Sequence, residues 1–325
     1  MKSFDAKAKA KNLTFLNECG LDPGIDHIAT LRLRDSIHEK GGKIISYQSY
    51  CGALFAPEYL EGNPFGYKFS WSPIGVLKAL KNSSIYLNEN KIVKIPQKNV
   101  LHSASNFPGN DILKLITYPN RNSVPYKEIY GLKDCSTVVR GTIRYQGFCE
   151  ILAGFNDLGL LEDFSPDSSV TSWPELIQSL VASKNLSSNL ANFGKVKSLL
   201  MEEFKLKEQS SVVNYEKLIH ILSSHDVFKK YSEQESIGKL RKVFEGMLYL
   251  EIFEDSSKIS SSLLKKSMIE ILCEIMKKKL SAKKGDRDLV VMVHYLHVKN
   301  SNNQSGRVRN LIIRIYQKFH DSHRR

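Results

Sequence analysis

In the first 160 residues, short apolar runs rich in β-forming residues alternate with stretches whose apolar positions follow a helical period. The run LTFLNEC at 13–19 ends in a glycine turn and predicts a strand. Residues 25–42 carry apolar side chains at helical spacing and close on two glycines, which predicts a helix with a glycine stop. The β-rich run KIISYQSYC at 43–51 follows, so the pattern begins as strand, helix, strand.

Further alternating elements are predicted before residue 161. The segment SPIGVLKALKN begins with Ser72 as a helix cap and Pro73 at the first helical position. The segment SIYLNENKIVKI has turn residues between two β-rich runs, which indicates a hairpin. STVVRGTIRYQGF predicts a long strand, and EILAGFNDLGLL predicts a helix. Strands that alternate with helices in this way are typical of an α/β domain.

Between residues 165 and 287 the pattern becomes helical. A linker ends in Ser172-Trp173-Pro174-Glu175, which reads as a capping box. The clearest helix is SLLKKSMIEILCEIMKKKL, with lysines at its C-terminal end and one apolar stripe formed by Leu264, Met268, Leu272 and Ile275. β character returns at 288–298, and 309–316 predicts its antiparallel partner. We therefore predict a mixed α/β (α+β) sheet domain with a small all-helical block inserted between its strands.

Composition and charge exclude several classes of protein. The 325 residues are 42% hydrophobic and 25% charged, as in soluble globular proteins. No apolar run reaches about 18 residues, so we predict no transmembrane helix, and the charged start carries no signal-peptide or transit-peptide pattern. The net charge of +13 is spread along the chain, and the densest basic runs lack interleaved aromatic residues. We therefore predict neither a nucleic-acid nor a membrane partner.

The five cysteines are odd in number, widely spaced and without a C-x-x-C pair. This pattern argues against a disulfide framework and against a zinc ribbon, so we predict no metal and a reducing compartment.

The turn NECGLDPGIDH is the first candidate for chemistry. Asp22 followed by Pro23 is a favourable pair for the cap and first position of a helix, and the residues alone favour that interpretation. A ligand contact at the same corner stays open, because helix starts often hold ligands. His27, in the first helical turn, is interpreted as a packed or hydrogen-bonded histidine.

The other candidates also have ordinary interpretations. Arg144 alternates with Thr142 on one face of a strand, which alone suggests a solvent-facing strand. Arg121 follows a turn signal and suggests a surface loop. Cys51 would by default be a small buried hydrophobe. Ser70 and Trp71 precede a capped helix, which by itself suggests a helix start beside a core tryptophan.

Five motifs occur in order between residues 18 and 161: GLDPGIDH, SYCG, NPFGYKFSWSPIGVL, YPNRNSVPYKEIYG and VRGTIRYQGF. Together they resemble saccharopine dehydrogenase of the glutamate-forming type. The helical block and final strands match more loosely and are similar in texture to the animal-type bifunctional aminoadipic semialdehyde synthase. Two departures are small: Ala53 stands where the family has a second glycine, and YPNRNS replaces the family's YPNRDS.

The resemblance implies a division into domains. Members of this family begin with a nucleotide-binding Rossmann domain, and no G-x-G-x-x-G follows an early strand here. We expect the N-terminal Rossmann domain to be absent, with 1–18 as its remnant end. Residues 19–164 and 288–316 are expected to form the α/β substrate-binding and dimerisation domain, 165–287 the helical inserted subdomain, and 317–325 a basic tail.

The resemblance also implies an activity. It is that of an oxidoreductase of lysine metabolism, which interconverts saccharopine with glutamate and 2-aminoadipate 6-semialdehyde through an imine and hydride transfer with NAD(P). NAD(P) is expected to be bound mainly by the missing domain, so the chain alone is expected to be inactive. A homodimer is implied, with a mitochondrial location for an animal-type protein and a cytoplasmic one otherwise. The alternative is a catalytically incomplete fragment that acts as a dimerisation or interaction module.

Finally, the resemblance assigns roles to individual residues. Because saccharopine carries three carboxylates, arginines are natural clamps, and substrate binding falls to Arg121, Thr142, Ile143 and Arg144. The reacting centre contains Asp22 and Cys51. Cys51 is not expected to be a nucleophile, because an imine formed between two substrates needs no covalent enzyme intermediate. Contacts with the cofactor fall to Leu21, Asp22, Pro23, Ser70 and Trp71.

Overall fold

The computed structural model describes residues 2–108, 113–183, 193–204, 213–223, 231–254, 256–300 and 304–317. Within these residues, eight strands form one mixed sheet. The strands are β1 (Lys43–Phe55), β2 (Ser84–Asn88), β3 (Lys91–Ile95), β4 (Ser105–Asn106), β5 (Leu115–Pro119), β6 (Thr137–Tyr145), β7 (Arg287–Lys299) and β8 (Ser305–Gln317).

The sheet has the order β3-β2-β6-β1-β7-β8, and β5 also pairs with β6 and with β4. Strands β1 and β6 are parallel, while the other pairs are antiparallel. Cys51 on β1 lies opposite Thr142 on β6, and Ser49 lies opposite both Arg140 on β6 and His294 on β7. Because side chains alternate along a strand, these residues project from the same face of the sheet.

The described helices are α1 (Asp5–Ala10), α2 (Ile25–Glu39), α3 (Pro73–Ala79), α4 (Gln97–Val100), α5 (Tyr126–Ile129), α6 (Phe148–Leu158), α7 (Trp173–Ser183), α8 (Phe193–Glu203), α9 (Tyr215–Ser223), α10 (Glu233–Tyr249), α11 (Ser261–Leu264) and α12 (Met268–Leu280). Helices α7 to α12 separate β6 from β7 along the chain. The chain then returns to the sheet, because β7 pairs with β1 on one side and β8 on the other.

One hydrophobic core joins the sheet to these helices. It contains Phe148 and Phe155 of α6 together with Phe244 of α10 and Met268 of α12. Helices α6 and α10 approach closely at Gly154, where an added β-carbon would lie 2.6 Å from the Val243 side chain. The boundaries of a separate helical subdomain, and of the other domains inferred from the sequence, stay a prediction. Residues 318–325 of the predicted basic tail lie outside the described residues.

Most predicted elements are present. The hairpin is formed by β2 and β3, and β7 pairs with β8 as expected. The hydroxyl of Ser72 caps α3, accepting the Gly75 N–H at 3.2 Å. All four residues of the predicted stripe, Leu264, Met268, Leu272 and Ile275, are buried.

Two local predictions are wrong and one needs refinement. Residues 13–19 form no strand, since none of the described strands pairs with them, and Leu16 is exposed. The helix expected over 262–280 is two helices, because Ser267 begins α12 with a capping box completed by Glu270. At the start of α7, the Glu175 carboxylate accepts hydrogen bonds from the N–H and hydroxyl of Thr171. The capping at this helix start therefore involves the residue before the predicted cap as well.

Candidate active site

The corner before α2 brings Asp22 to the sheet. The Asp22–Pro23 peptide bond is cis, and Gly24, with φ 152°, is the residue that precedes the helix. The Gly24 N–H donates to the carboxylate of Asp26 at 2.7 Å. Asp22 is therefore not the helix cap, and that interpretation is wrong, because its carboxylate is turned instead toward Arg140 on β6.

Arg140 is the centre of a buried ion cluster. Its Nη2 donates to the carboxylate of Asp22 and to Oδ2 of Asp26, the latter at 2.8 Å. Its guanidinium carbon lies 4.0 Å from the ring centroid of Tyr126. Arg140 is 6% exposed and Asp26 is fully buried. Sequence reasoning missed Arg140, although it occupies the same strand face as Thr142 and Arg144 and stands within the motif VRGTIRYQGF.

The cluster carries an excess negative charge, because two carboxylates share one guanidinium. Burial raises the pKa of Asp22 above its ordinary value, Arg140 lowers it in part, and the neighbouring Asp26 raises it again. A carboxyl group with a raised pKa is protonated more easily than an ordinary aspartate, which suits it to exchanging a proton with a ligand.

Arg144 is a cation without an anionic partner among the described residues. It is half-buried, and its Nη1 donates to the Ile143 carbonyl at 2.9 Å. The rings of Tyr67 and Phe148 lie 5.4 and 5.2 Å from its guanidinium carbon. Its Nε is buried and has no hydrogen-bond partner in the described part of the chain. A guanidinium in this setting can pair with the carboxylate of a ligand.

Thr142 lies between the two arginines, opposite Cys51 on β1 and Tyr118 on β5. Burial, followed by the charges of Asp22 and Asp26, raises the pKa of the Cys51 thiol to about 12. The thiol is therefore protonated at neutral pH, and a protonated thiol is a poor nucleophile. The Ile143 side chain lies in the core on the opposite face, against Gly52, so that only its carbonyl reaches Arg144.

Arg121 lies at the exposed end of the loop after β5. Its carbonyl accepts hydrogen bonds from the Ile85 N–H at 2.8 Å and the Ser84 hydroxyl at 3.1 Å, with φ at 50°. The charge of its side chain lowers the pKa of Asp22, although less than burial and the nearer charges change it. Arg121 is thus within electrostatic reach of Asp22.

The loop before α3 lies beside Arg144. Burial raises the pKa of Tyr67, and Arg144 and the Trp71 side chain lower it in part, which places these three residues next to one another. Trp71 is 54% exposed, so it is not the core residue that its sequence context alone suggests. Its ring lies against Gly75 of α3, where an added β-carbon would meet it at 2.9 Å. Ser70 is half-buried.

His27 is hydrogen-bonded, as predicted. Its Nδ1 lies 2.6 Å from the Tyr130 hydroxyl, and its Nε2 lies 3.0 Å from a carboxylate oxygen of Glu18. Of the neighbouring residues at this corner, Leu21 is half-buried and Pro23 is exposed.

His294, on β7, projects from the same sheet face. It is fully buried, and its ring stacks on Tyr47 with 6.3 Å between the centroids. Neither ring nitrogen has a hydrogen-bond partner among the residues that the structure describes. Burial lowers the pKa of His294 to about 4. The imidazole is therefore neutral in the folded protein at ordinary pH.

Replacing His294 with phenylalanine is expected to make the protein more tolerant of acid. The unfolded imidazole takes up a proton near pH 6.5 and the folded one only near pH 4, so proton uptake favours unfolding as the pH falls through this window. As the pH falls from about 6.5 to about 4, protonation of His294 in the unfolded state should lower the unfolding free energy of the wild type by about 3 kcal/mol. The variant should not show this loss. Urea denaturation at several pH values measures the difference.

His297→Phe is the matched control, because His297 lies on the same strand but on the opposite face of the sheet. The prediction is contradicted if the two variants show the same change of stability with pH.

The described residues contain no group of three or more His, Cys, Asp or Glu side chains placed to hold a metal ion. In that same part of the chain, no helix is long and apolar enough to cross a membrane.

Comparison with known proteins identifies relatives over nearly the whole chain. Saccharopine dehydrogenase [NADP(+), L-glutamate-forming] from Pyricularia oryzae is 31% identical over 307 residues, which are 93% of this chain and 59% of that protein. The Saccharomyces cerevisiae enzyme of the same name is 31% identical over 299 residues, or 90% of this chain and 58% of that protein. Mitochondrial alpha-aminoadipic semialdehyde synthase from Mus musculus is 39% identical over 190 residues, or 56% of this chain and 20% of that protein.

A solved structure, the apo histidine-tagged saccharopine dehydrogenase (L-Glu forming) from Saccharomyces cerevisiae, matches with a TM-score of 0.74 and 28% identity. The match covers 97% of this chain and 62% of the solved one. The chain thus spans somewhat more than half the length of the fungal dehydrogenases that it matches. These relatives are oxidoreductases.

The family described as Saccharopine dehydrogenase C-terminal domain matches residues 20–323, which include the Asp22 corner and every strand that carries the site. This match and the fungal relatives agree with the resemblance carried by the five motifs. The chain therefore belongs to the saccharopine dehydrogenase C-terminal domain family.

Proposed function

We propose that this chain is the substrate-binding part of a saccharopine dehydrogenase of the glutamate-forming type, acting in lysine metabolism. The observation that carries the proposal is Arg144, a half-buried guanidinium with no anionic partner among the described residues. It lies on the same strand face as Thr142 and the Asp22 cluster. This arrangement suits a substrate with both carboxylates and an amine: a carboxylate can pair with the Arg144 cation, and the amine can lie beside the Asp22 carboxyl group.

In the proposed complex, Arg144 and Arg121 hold carboxylates of saccharopine. The hydroxyl of Thr142 and the backbone at Ile143 complete the substrate contacts. The secondary amine then lies toward Asp22, whose excess negative charge favours a cationic nitrogen.

The proposed reaction oxidises the carbon–nitrogen bond of saccharopine. A hydride leaves the carbon next to the nitrogen, and the nitrogen loses its proton to form an imine. Water adds to the imine carbon, and the carbon–nitrogen bond breaks to release glutamate and 2-aminoadipate 6-semialdehyde. Asp22 accepts the proton from the amine and returns one to the departing nitrogen. Cys51, protonated and adjacent, is a hydrogen-bond donor at the reacting centre.

Two relatives are named as NADP(+) enzymes, and we propose the same cofactor here, as the acceptor of the hydride. The exposed indole of Trp71 offers an apolar ring surface next to the arginine site, which fits a flat nicotinamide. Ser70 and the turn Leu21-Asp22-Pro23 are the other proposed contacts. The rest of the cofactor is proposed to be held by a Rossmann domain outside these 325 residues.

The proposed organisation has the α/β residues 19–164 and 288–316 as the substrate-binding and homodimerising domain. Residues 165–287 are the inserted helical subdomain.

Isothermal titration of the chain with saccharopine tests the proposal. Saccharopine should bind, whereas cadaverine, which has amines but no carboxylate, should not. Addition of a nucleotide-binding domain from a relative should then allow saccharopine-dependent reduction of NADP. Absence of saccharopine binding up to millimolar concentration would contradict the proposal. A chain that dimerises but binds none of these ligands would instead be the dimerisation module considered above.

A further inference from the structure

We propose that Arg140 is a positioning residue for the reaction, which fixes the Asp22 carboxylate toward the substrate amine because it is shared between Asp22 and Asp26 and stacked on Tyr126. This inference rests on the proposed function, because the proposed function supplies the substrate amine on which Asp22 acts. Arg140 itself is not a substrate contact: its charge is already paired within the protein.

The geometry holds Arg140 from several directions. Its backbone N–H donates to the Ser123 hydroxyl at 2.9 Å, and its strand lies in the middle of the sheet. Its guanidinium is 4.0 Å from the Tyr126 ring, which stacks in turn on His27 at 5.9 Å. A planar cation on an aromatic face has little freedom to rotate, so the direction in which Nη2 meets Asp22 is set before any ligand binds.

Asp26 makes this arrangement possible. It is fully buried, accepts the Gly24 N–H on Oδ1 and receives Arg140 on Oδ2. One side of the guanidinium is thereby anchored to the first turn of α2. Asp22, at 15% side-chain exposure, is the member of the cluster that is open to the site. Asp26 and Asp22 therefore have different parts: the first anchors the cation, and the second faces the ligand.

The pairing is also uneven in charge. One guanidinium serves two carboxylates, so Asp22 is only half-neutralised and retains the capacity to take a proton. The charges of Arg140 on β6, Asp26 and His27 on α2, and Arg121 after β5 act on the Asp22 carboxyl group. Two further titratable groups face the same cluster: Cys51 on β1 responds to the charge of Asp22, and His294 on β7 responds to those of Asp26 and Arg140. Removing a positive charge from the cluster should therefore raise the pKa of Asp22, and removing a negative charge should lower it.

The test is carbon-13 NMR of the full chain labelled in its aspartate carboxyl groups, with the Asp22 signal assigned by its loss in Asp22→Asn. In Arg140→Lys the titration midpoint of Asp22 should rise, because a lysine ammonium cannot bridge both carboxylates or stack on Tyr126 in the same way. In Asp26→Asn the midpoint of Asp22 should fall, because Asp22 is then the only carboxylate of the cluster that Arg140 neutralises. Asp26→Asn keeps an oxygen for the Gly24 N–H, so that the helix start is preserved.

Arg241→Lys is the control, since Arg241 forms an exposed pair with Glu203 on the helical side of the molecule. It should leave the Asp22 midpoint unchanged. Opposite movements in Arg140→Lys and Asp26→Asn support the inference, while movement in the same direction, or no movement in either, overturns it. General loosening of the fold would shift both variants toward the same unfolded value.

Saccharopine affinity provides a second readout. Arg140→Lys should weaken saccharopine binding by about tenfold. The hydrogen bond between the Asp22 carboxylate and the substrate amine would be misdirected but not lost. If the wild type does not bind saccharopine, the proposed function fails while the NMR result still decides the coupling of Arg140 to Asp22. If the wild type binds and the Asp22 midpoint is insensitive to both variants, only the inference about Arg140 fails.

Discussion

Replacement of Arg144 with methionine is expected to weaken saccharopine binding by at least about a hundredfold, which is the loss of two charge-assisted hydrogen bonds to one carboxylate. The guanidinium is half-buried between the rings of Tyr67 and Phe148, where little water competes for its N–H groups. Its Nε has no hydrogen-bond partner within the part of the chain that the structure describes. A ligand carboxylate therefore gains interactions that the folded chain leaves unmade. Isothermal titration of the variant measures this loss.

The same substitution should leave the protein at least as stable as the wild type, to within about 1 kcal/mol. A buried cation without a counterion costs free energy on folding, and methionine fills a similar volume against the two rings. Thermal unfolding of the two proteins makes the comparison. A large fall in melting temperature would show that Arg144 is a structural residue, and the loss of binding could then not be attributed to a missing clamp.

Arg241→Met provides the matched control for both measurements. Arg241 is exposed and paired with Glu203 on α8. Removal of this surface pair should leave saccharopine binding unchanged and alter the unfolding free energy by no more than about 1 kcal/mol. Equal losses of binding in Arg144→Met and Arg241→Met would indicate an effect of net charge instead of a specific site.

Arg140→Met is expected to have the opposite character, with a loss of stability of about 3–5 kcal/mol. It leaves two carboxylates, Asp22 and Asp26, close together without a cation, and Asp26 is fully buried. It also removes the stacking of the guanidinium on Tyr126. Urea denaturation at neutral pH measures the change in unfolding free energy.

A combined variant separates the stranded charges from lost packing. Asp22→Asn and Asp26→Asn introduced together with Arg140→Met remove all three charges, and we expect most of the lost stability to return. If the triple variant is as unstable as Arg140→Met alone, packing around the guanidinium and not charge pairing stabilises this corner.

Much of the architecture could be read from local pattern. The capped helix after Ser72, the hairpin of β2 and β3 and the pairing of β7 with β8 each depend on neighbouring residues whose conformational preferences agree. The shared face of Thr142 and Arg144 follows from the two-residue period of a strand. The prediction of a strand at 13–19 failed for the converse reason: its apolar residues suit a strand, but none of the strands that the structure describes pairs with it.

The residues of the candidate site could be proposed from the sequence only through the five motifs. Those motifs led to Asp22, Cys51, Thr142 and Arg144, which the fold brings to one face of the sheet. Arg140 and His294 were not predicted, because an arginine in a strand and a histidine in an apolar run have many ordinary explanations. Their surroundings are set by residues far away in the chain: Arg140 meets Asp22 and Asp26 across separations of 118 and 114 residues.

The linear order of residues determined the order of most helices and strands and the membership of the family. It also determined the strand face shared by Arg140, Thr142 and Arg144. Local propensity and motif spacing are sufficient for these features, because they do not depend on distant contacts. Which of the arginines is neutralised was a matter of three-dimensional packing. The corner at Asp22 folds onto β6 and supplies carboxylates to Arg140 while none reaches Arg144 in the described residues. Electrostatic energy depends on distance and burial, and neither quantity exists until α2 is packed against the sheet.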